Sequence, residues 1–121
     1  MEAPALTLTA MQPENVTIDG NKATIDTQYK TAMFVIPADV QDKIATVDVT
    51  VSSNGQFCIK VVGEGGTILN GDEYPNYGAT SDAPMTFTKQ YSFDAKITQI
   101  EFMSLGDLPL ELTIQGALTL K

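Results

Sequence analysis

Tyr74 and Tyr77, which bracket Pro75-Asn76, are the side chains in this sequence best suited to hold a ligand. A sugar ring presents an apolar C–H face that stacks on an aromatic ring, while a phenol and nearby amides bond its hydroxyls. Asn76 and Asp72 lie close enough in the chain to supply such bonds. The opposing reading is that one tyrosine merely pins a long loop to the body of the fold, since Tyr is commonly half-buried. Asp72, Glu73 and Asp82 in the same stretch could accept hydroxyls or ligate calcium, which takes oxygen ligands. They lack Asp-x-Asp-x-Asp-Gly spacing, so they read as a solvated acidic loop, and no cofactor or metal site is expected. Gln90, with Thr88 and Ser92, marks a polar strand face on which a ligand could lie. Tyr29, between Gln28 and Lys30, is the remaining aromatic candidate for an exposed contact.

Absences narrow the chemistry further. The chain has no histidine, which removes His-based triads and the usual His-ligated zinc and iron sites. Its single cysteine, Cys58, excludes an intrachain disulfide, and without a base beside it reads as a quiet thiol. Paired carboxylates for glycoside hydrolysis could be drawn from fifteen acids, but most of these sit in turns or at outward strand positions, so catalysis is not expected. Seven basic residues, all Lys, against those fifteen acids give a net charge of −8. Phosphate backbones and anionic lipid surfaces repel such a domain, which argues against nucleic-acid and membrane partners. Met1-Glu2-Ala3-Pro4 lacks the basic start and apolar core of a signal peptide.

The elements that must carry these residues are strands. At 121 residues, with 43% hydrophobic and 18% charged, the chain has the composition of one globular domain, taken as residues 1–121. From Ile97 to Leu120 apolar residues alternate with polar ones: Ile100 and Phe102, then Leu108, Leu110, Leu112, Ile114, Gly116, Leu118 and Leu120. A period of two puts successive side chains on opposite faces of a strand, so this stretch is expected to be an antiparallel hairpin with one oily face, covered by a second sheet. Val47, Val49 and Val51 alternate with Asp48 and Thr50, and Asn54-Gly55 leads to Phe57, Ile59 and Val61. That pair is expected to form a second hairpin. A third runs from Val16 and Ile18 through Asp19-Gly20-Asn21 to Ala23 and Ile25. Shorter strands are expected around Ala5–Ala10, Thr31–Ile36, Thr67–Leu69 and Met85–Phe93, with Tyr91 in the core beside Phe87. Only Ala38–Lys43 allows a helical turn. Residues 70–84 have no period and are rich in turn formers, and loops of such length are often functional. The whole predicts an all-β, antiparallel two-sheet sandwich without substantial helix.

The closing strands, Ile97-Thr-Gln-Ile-Glu-Phe-Met-Ser and Leu110-Glu-Leu-Thr-Ile, resemble those of jelly-roll carbohydrate-binding modules. The central Val47-Asp-Val-Thr-Val-Ser-Ser-Asn-Gly-Gln-Phe-Cys-Ile-Lys-Val-Val is similar to their middle strands. Such modules are appended to plant-cell-wall hydrolases of anaerobic, cellulosome-forming bacteria. The resemblance implies a non-catalytic, monomeric, extracellular module within a larger secreted protein, taking a polysaccharide or oligosaccharide. Its ligand residues would be Tyr74, Tyr77, Asn76, Asp72, Gln90 and Tyr29. Trp, the commonest sugar-stacking platform, is absent. That absence favours the alternative: a structural or protein-interaction sandwich serving as spacer, adhesion or assembly module.

Overall fold

The structure, a computed structural model, describes residues 2–74, 82–106 and 108–121. Nine strands are formed: β1 (Leu8–Ala10), β2 (Val16–Asp19), β3 (Lys22–Ile25), β4 (Thr31–Val35), β5 (Ile44–Ser53), β6 (Phe57–Gly63), β7 (Met85–Tyr91), β8 (Ile97–Ser104) and β9 (Leu110–Leu120). They make a four-stranded sheet, ordered β1-β4-β8-β6, and a five-stranded sheet, ordered β2-β3-β9-β5-β7. All pairings are antiparallel. Among the described residues helix is limited to 3₁₀ turns at Ala38–Val40 and Glu64–Gly66, the first where the sequence allows one. No helix among the described residues is long and apolar enough to cross a membrane.

Alternation builds the core as expected. Val47, Val49 and Val51 of β5 and Leu110, Leu112 and Ile114 of β9 face Phe57, Ile59, Ile100 and Phe102 from the other sheet, all essentially inaccessible. Position 116 continues the inward series on β9. A methyl group there would come within 2.8 Å of the Phe34 ring, so the glycine makes room for an aromatic side chain arriving from the opposite sheet. The β2–β3 hairpin forms as predicted, Asp19 opposite Lys22, with Gly20 at φ +62 in the left-handed conformation that glycine adopts freely.

The two other expected hairpins do not form. β5 and β6 belong to different sheets, as do β8 and β9, so each pair faces across the core instead of sharing a ladder. Strand alternation is satisfied by either arrangement, because it dictates which face is buried and leaves the hydrogen-bonded neighbour open. The corner residues decide it. Asn54 binds β9: its amide reaches the Glu111 carbonyl, and its side-chain oxygen accepts from Glu111 N–H at 2.8 Å. Two residues later the Gln56 carbonyl accepts from Leu105 N–H, at the end of β8. Ser53 Oγ, which accepts from Gly55 N–H, holds the step between sheets.

The strand expected at Thr67–Leu69 is reduced to a single bridge between Ile68 and Val62. The segment after it is tied to the β6 edge by other means. Asn70 accepts from Val61 N–H and donates to the Ile59 carbonyl, and Glu73 exchanges both backbone bonds with Ile59. It thereby lies along the side of the sandwich where β6 and β7 are the sheet edges. The registers also give the molecule two unlike ends. The sheet-to-sheet connections 11–15, 26–30, 54–56 and 105–109 all leave from one end, hereafter the corner pole. The chain entering β7 at Met85, opposite Ser53, arrives there too.

Candidate glycan-binding site

The outer face of the five-stranded sheet carries the side chains that alternate with the core. Register aligns them in rows across the strands. Asp19, Lys22, Thr113, Ser52 and Thr86 form one row; Gln115, Thr50 and Thr88 the next; Ala117, Asp48 and Gln90 the third. Neighbours within rows are already bonded: Ser52 Oγ to Thr86 Oγ1 at 2.9 Å, and Gln90 Nε2 donating to Asp48 Oδ1 at 2.8 Å. Lys22 Nζ lies 3.6 Å from Glu111 Oε1, both half-exposed.

Two shallow depressions follow one another along β5 and β9. One, of about 230 Å³, is lined by Lys22, Ser52, Asn54, Pro84, Glu111 and Thr113. The other, of about 300 Å³, is lined by Asp48, Thr50, Gln115, Gly116 and Ala117. Since Ser52–Thr113 and Thr50–Gln115 are successive outward pairs, the two make one course running from the corner pole across the sheet. From Glu111 to Ala117 that course spans about 20 Å at strand rise. Hydroxyls, amides and a few charges line it, and among the described residues no aromatic ring stands on it. Such a surface can exchange hydrogen bonds with a hydroxyl-rich chain over several units.

The predicted site residues are dispersed. Gln90 sits on this face, as expected, at the third row. Tyr91 is buried, stacked at 6.3 Å on Phe93. Asp72 is exposed with φ +56, and Tyr74 is half-exposed beyond it, on the flank of β6. Asn76 and Tyr77 lie outside the described residues. The pin of the segment is Glu73: its Oε1 accepts from Tyr91 Oη at 3.1 Å and from Lys89 Nζ at 3.2 Å. Burial, then the Glu73 charge, pushes the Tyr91 phenol far above its ordinary range.

Tyr29 is 60% exposed, at the corner pole, with a left-handed backbone at φ +62. A bulky side chain in that region costs roughly 1 kcal/mol or more. Cys58 is fully buried on the outward side of β6, and burial raises its thiol pKa, which keeps it protonated and unreactive. Among the described residues no three acidic or cysteine side chains are grouped to hold a metal ion.

Asp48, Thr50, Ser52, Thr113 and Gln115 are absent from the predicted site. Their outward positions are legible from alternation, but the adjacency of β5 and β9 is not. That adjacency alone makes them one surface.

Strand order and the two unlike sheets define an antiparallel β-sandwich of the jelly-roll kind, a fold shared with several solved carbohydrate-binding modules. The xylan-binding module CBM86 of the gut symbiont Roseburia intestinalis superposes with a TM-score of 0.58 at 17% identity, over 94% of this chain and 96% of its own. A family 29 carbohydrate-binding module from Piromyces equi gives 0.61 at 10% identity, over 98% of this chain and 89% of that one. A family 29 module complexed with mannohexaose gives 0.58 at 13%, covering 98% and 92%. At these identities the likeness is one of fold. No protein-family model matches the chain, and no curated protein sequence matches it.

Proposed function

We propose that this domain is a non-catalytic carbohydrate-binding module that takes a neutral polysaccharide chain along the outer face of its five-stranded sheet. The observation that carries the reading is the continuous polar course from Glu111 to Ala117, two depressions long. Structural neighbours support it: one is described as a low-affinity xylan-binding module, and family 29 modules have been solved with mannohexaose and cellulohexaose. Thr50, Ser52, Thr113, Gln115 and the Gln90–Asp48 pair would bond sugar hydroxyls, replacing water one for one. Pro84 lines the pole-ward depression. Tyr74, Tyr77, Asn76 and Asp72 are proposed as further sugar contacts, a tyrosine ring covering a sugar face and the polar side chains bonding hydroxyls. We further propose that the domain works as a monomer within a secreted, modular enzyme, and holds that enzyme on plant cell-wall polysaccharide, in a cellulosomal setting.

Affinity electrophoresis through gels containing xylan, glucomannan or hydroxyethylcellulose tests this. Wild type is retarded by at least one. Gln115→Ala, on an exposed strand position, weakens binding about tenfold, as truncating a contact worth 1–3 kcal/mol does, and leaves the melting temperature within a degree or two. Tyr74→Ala reports whether the segment on the flank of β6 contributes. If no glycan retards the wild type, the carbohydrate reading fails and the protein-interaction sandwich takes its place.

A further inference from the structure

The turn between β3 and β4 is held far more firmly than a surface connection requires, and the side chain it displays is aromatic. Tyr29 N–H donates to the Ser104 carbonyl, and Ser104 N–H to the Lys30 carbonyl, both at 2.9 Å. The fully buried Ser104 hydroxyl accepts from Lys30 N–H and donates to the Thr27 carbonyl at 2.7 Å. Gln28 Nε2 donates to the Leu105 carbonyl. On the other flank Asn15 Nδ2 donates to Thr27 Oγ1 and to Asp26 Oδ1. At the centre of this web, Tyr29 keeps a left-handed backbone that glycine or asparagine would adopt more easily. Tyr29 is 60% exposed, and its hydroxyl has no partner among the described residues. A tyrosine placed there for folding would bury its ring or bond its hydroxyl. Neither is observed, so the backbone bonds account for the conformation of the turn but not for an aromatic side chain at its centre.

We propose that Tyr29 is the platform of a second glycan contact, at the corner pole, taking the apolar C–H face of one pyranose ring. The proposal rests on the carbohydrate reading above but not on the sheet-face course. Tyr29 is anchored to β8 of the four-stranded sheet, whereas the course lies on the outside of the five-stranded sheet. A ring on a rigid turn loses little freedom when a sugar stacks on it, which suits a contact made chiefly through one aromatic face. Weak binding, in the millimolar range, and tolerance of the sugar's hydroxyl pattern follow from a single stacked face.

The test is an NMR titration of the whole domain with xylohexaose, mannohexaose and cellohexaose, following amides 27–30 and 105 separately from 48–52 and 113–117. Two sets of shifts with different saturation curves are expected. Tyr29→Asn, whose side chain tolerates the left-handed backbone, should abolish the pole set, leave the sheet set, and keep or raise the melting temperature. Tyr29→Phe should retain the pole set. Shifts confined to the sheet overturn this proposal while leaving the carbohydrate reading intact. Shifts confined to the pole support it and remove the sheet-face course. If Tyr29→Asn lowers the melting temperature and weakens both sets together, Tyr29 is a folding residue and the proposal falls. If none of the three hexaoses moves either set, both readings fail.

Discussion

Glu73 shows how one side chain can decide what a long segment does. Its backbone pairs with Ile59 of one sheet while its carboxylate reaches Tyr91 and Lys89 of the other. Tyr91→Phe removes the hydroxyl bond but leaves Glu73 its lysine, so a loss of about 1–2 kcal/mol is expected in urea denaturation. The same phenol sets an alkaline limit. Its folded pKa is raised above the ordinary 10.0, so the neutral form is favoured in the fold. The stability it contributes is complete below pH 10 and is lost as pH rises toward the folded value. Tyr91→Phe should therefore flatten the alkaline fall in melting temperature seen for wild type. Asp26 has the opposite sign. Thr27 and Asn15 donate to its carboxylate and hold its pKa below the ordinary 3.8. The Tyr29 turn should be intact above pH 3.8 and loosen as pH falls further. Faster exchange of the Asn15 side-chain amide at pH 3 than at pH 6, beyond that of an unstructured Asn control, would show it.

At the scale of elements, β9 is the strand on which both core and candidate site depend. Leu112 is wholly buried at its inward face, and Leu112→Ala should cost roughly 2–5 kcal/mol in a chemical denaturation curve. Gly116→Ala tests the opposite error. The added methyl meets the buried Phe34 ring at 2.8 Å, so the ring must shift and overpacking of about 1–3 kcal/mol is expected. An unchanged midpoint for this variant would mean the sheets separate easily at that point. Both residues alternate inward with Gln115 and Ala117 outward, so a register shift of β9 would dismantle core and polar course together.

For the molecule as a whole, the net charge of −8 and the compensated charges along the course set an expectation about ligands. A neutral glycan held by hydroxyls and amides releases no counterions. Its affinity should change less than about twofold between low salt and 0.5 M sodium chloride, since screening acts on charged pairs. Calorimetric titration at both salts checks this. A steep salt dependence would instead indicate a charged partner and the protein-interaction reading.

The alternation in β5, β8 and β9 is a local property, fixed by side-chain solubility and the two-residue period of a strand. It was enough to make the all-β sandwich, the buried faces, the β2–β3 turn and the interior Tyr91 legible. Strand neighbours were not legible, because an inward-facing strand is equally buried whether its successor joins its own sheet or crosses to the other. Asn54 and Gln56 settle that choice through bonds to Glu111 and Leu105, residues distant in the chain. The candidate surface shares this dependence. Thr50, Ser52, Thr113 and Gln115 are unremarkable polar residues in sequence, and only the pairing of β5 with β9 sets them side by side. Tyr74 and Tyr77 are neighbours in the chain and so legible as a pair; the polar course comes from strands about sixty residues apart, which only the tertiary fold brings together.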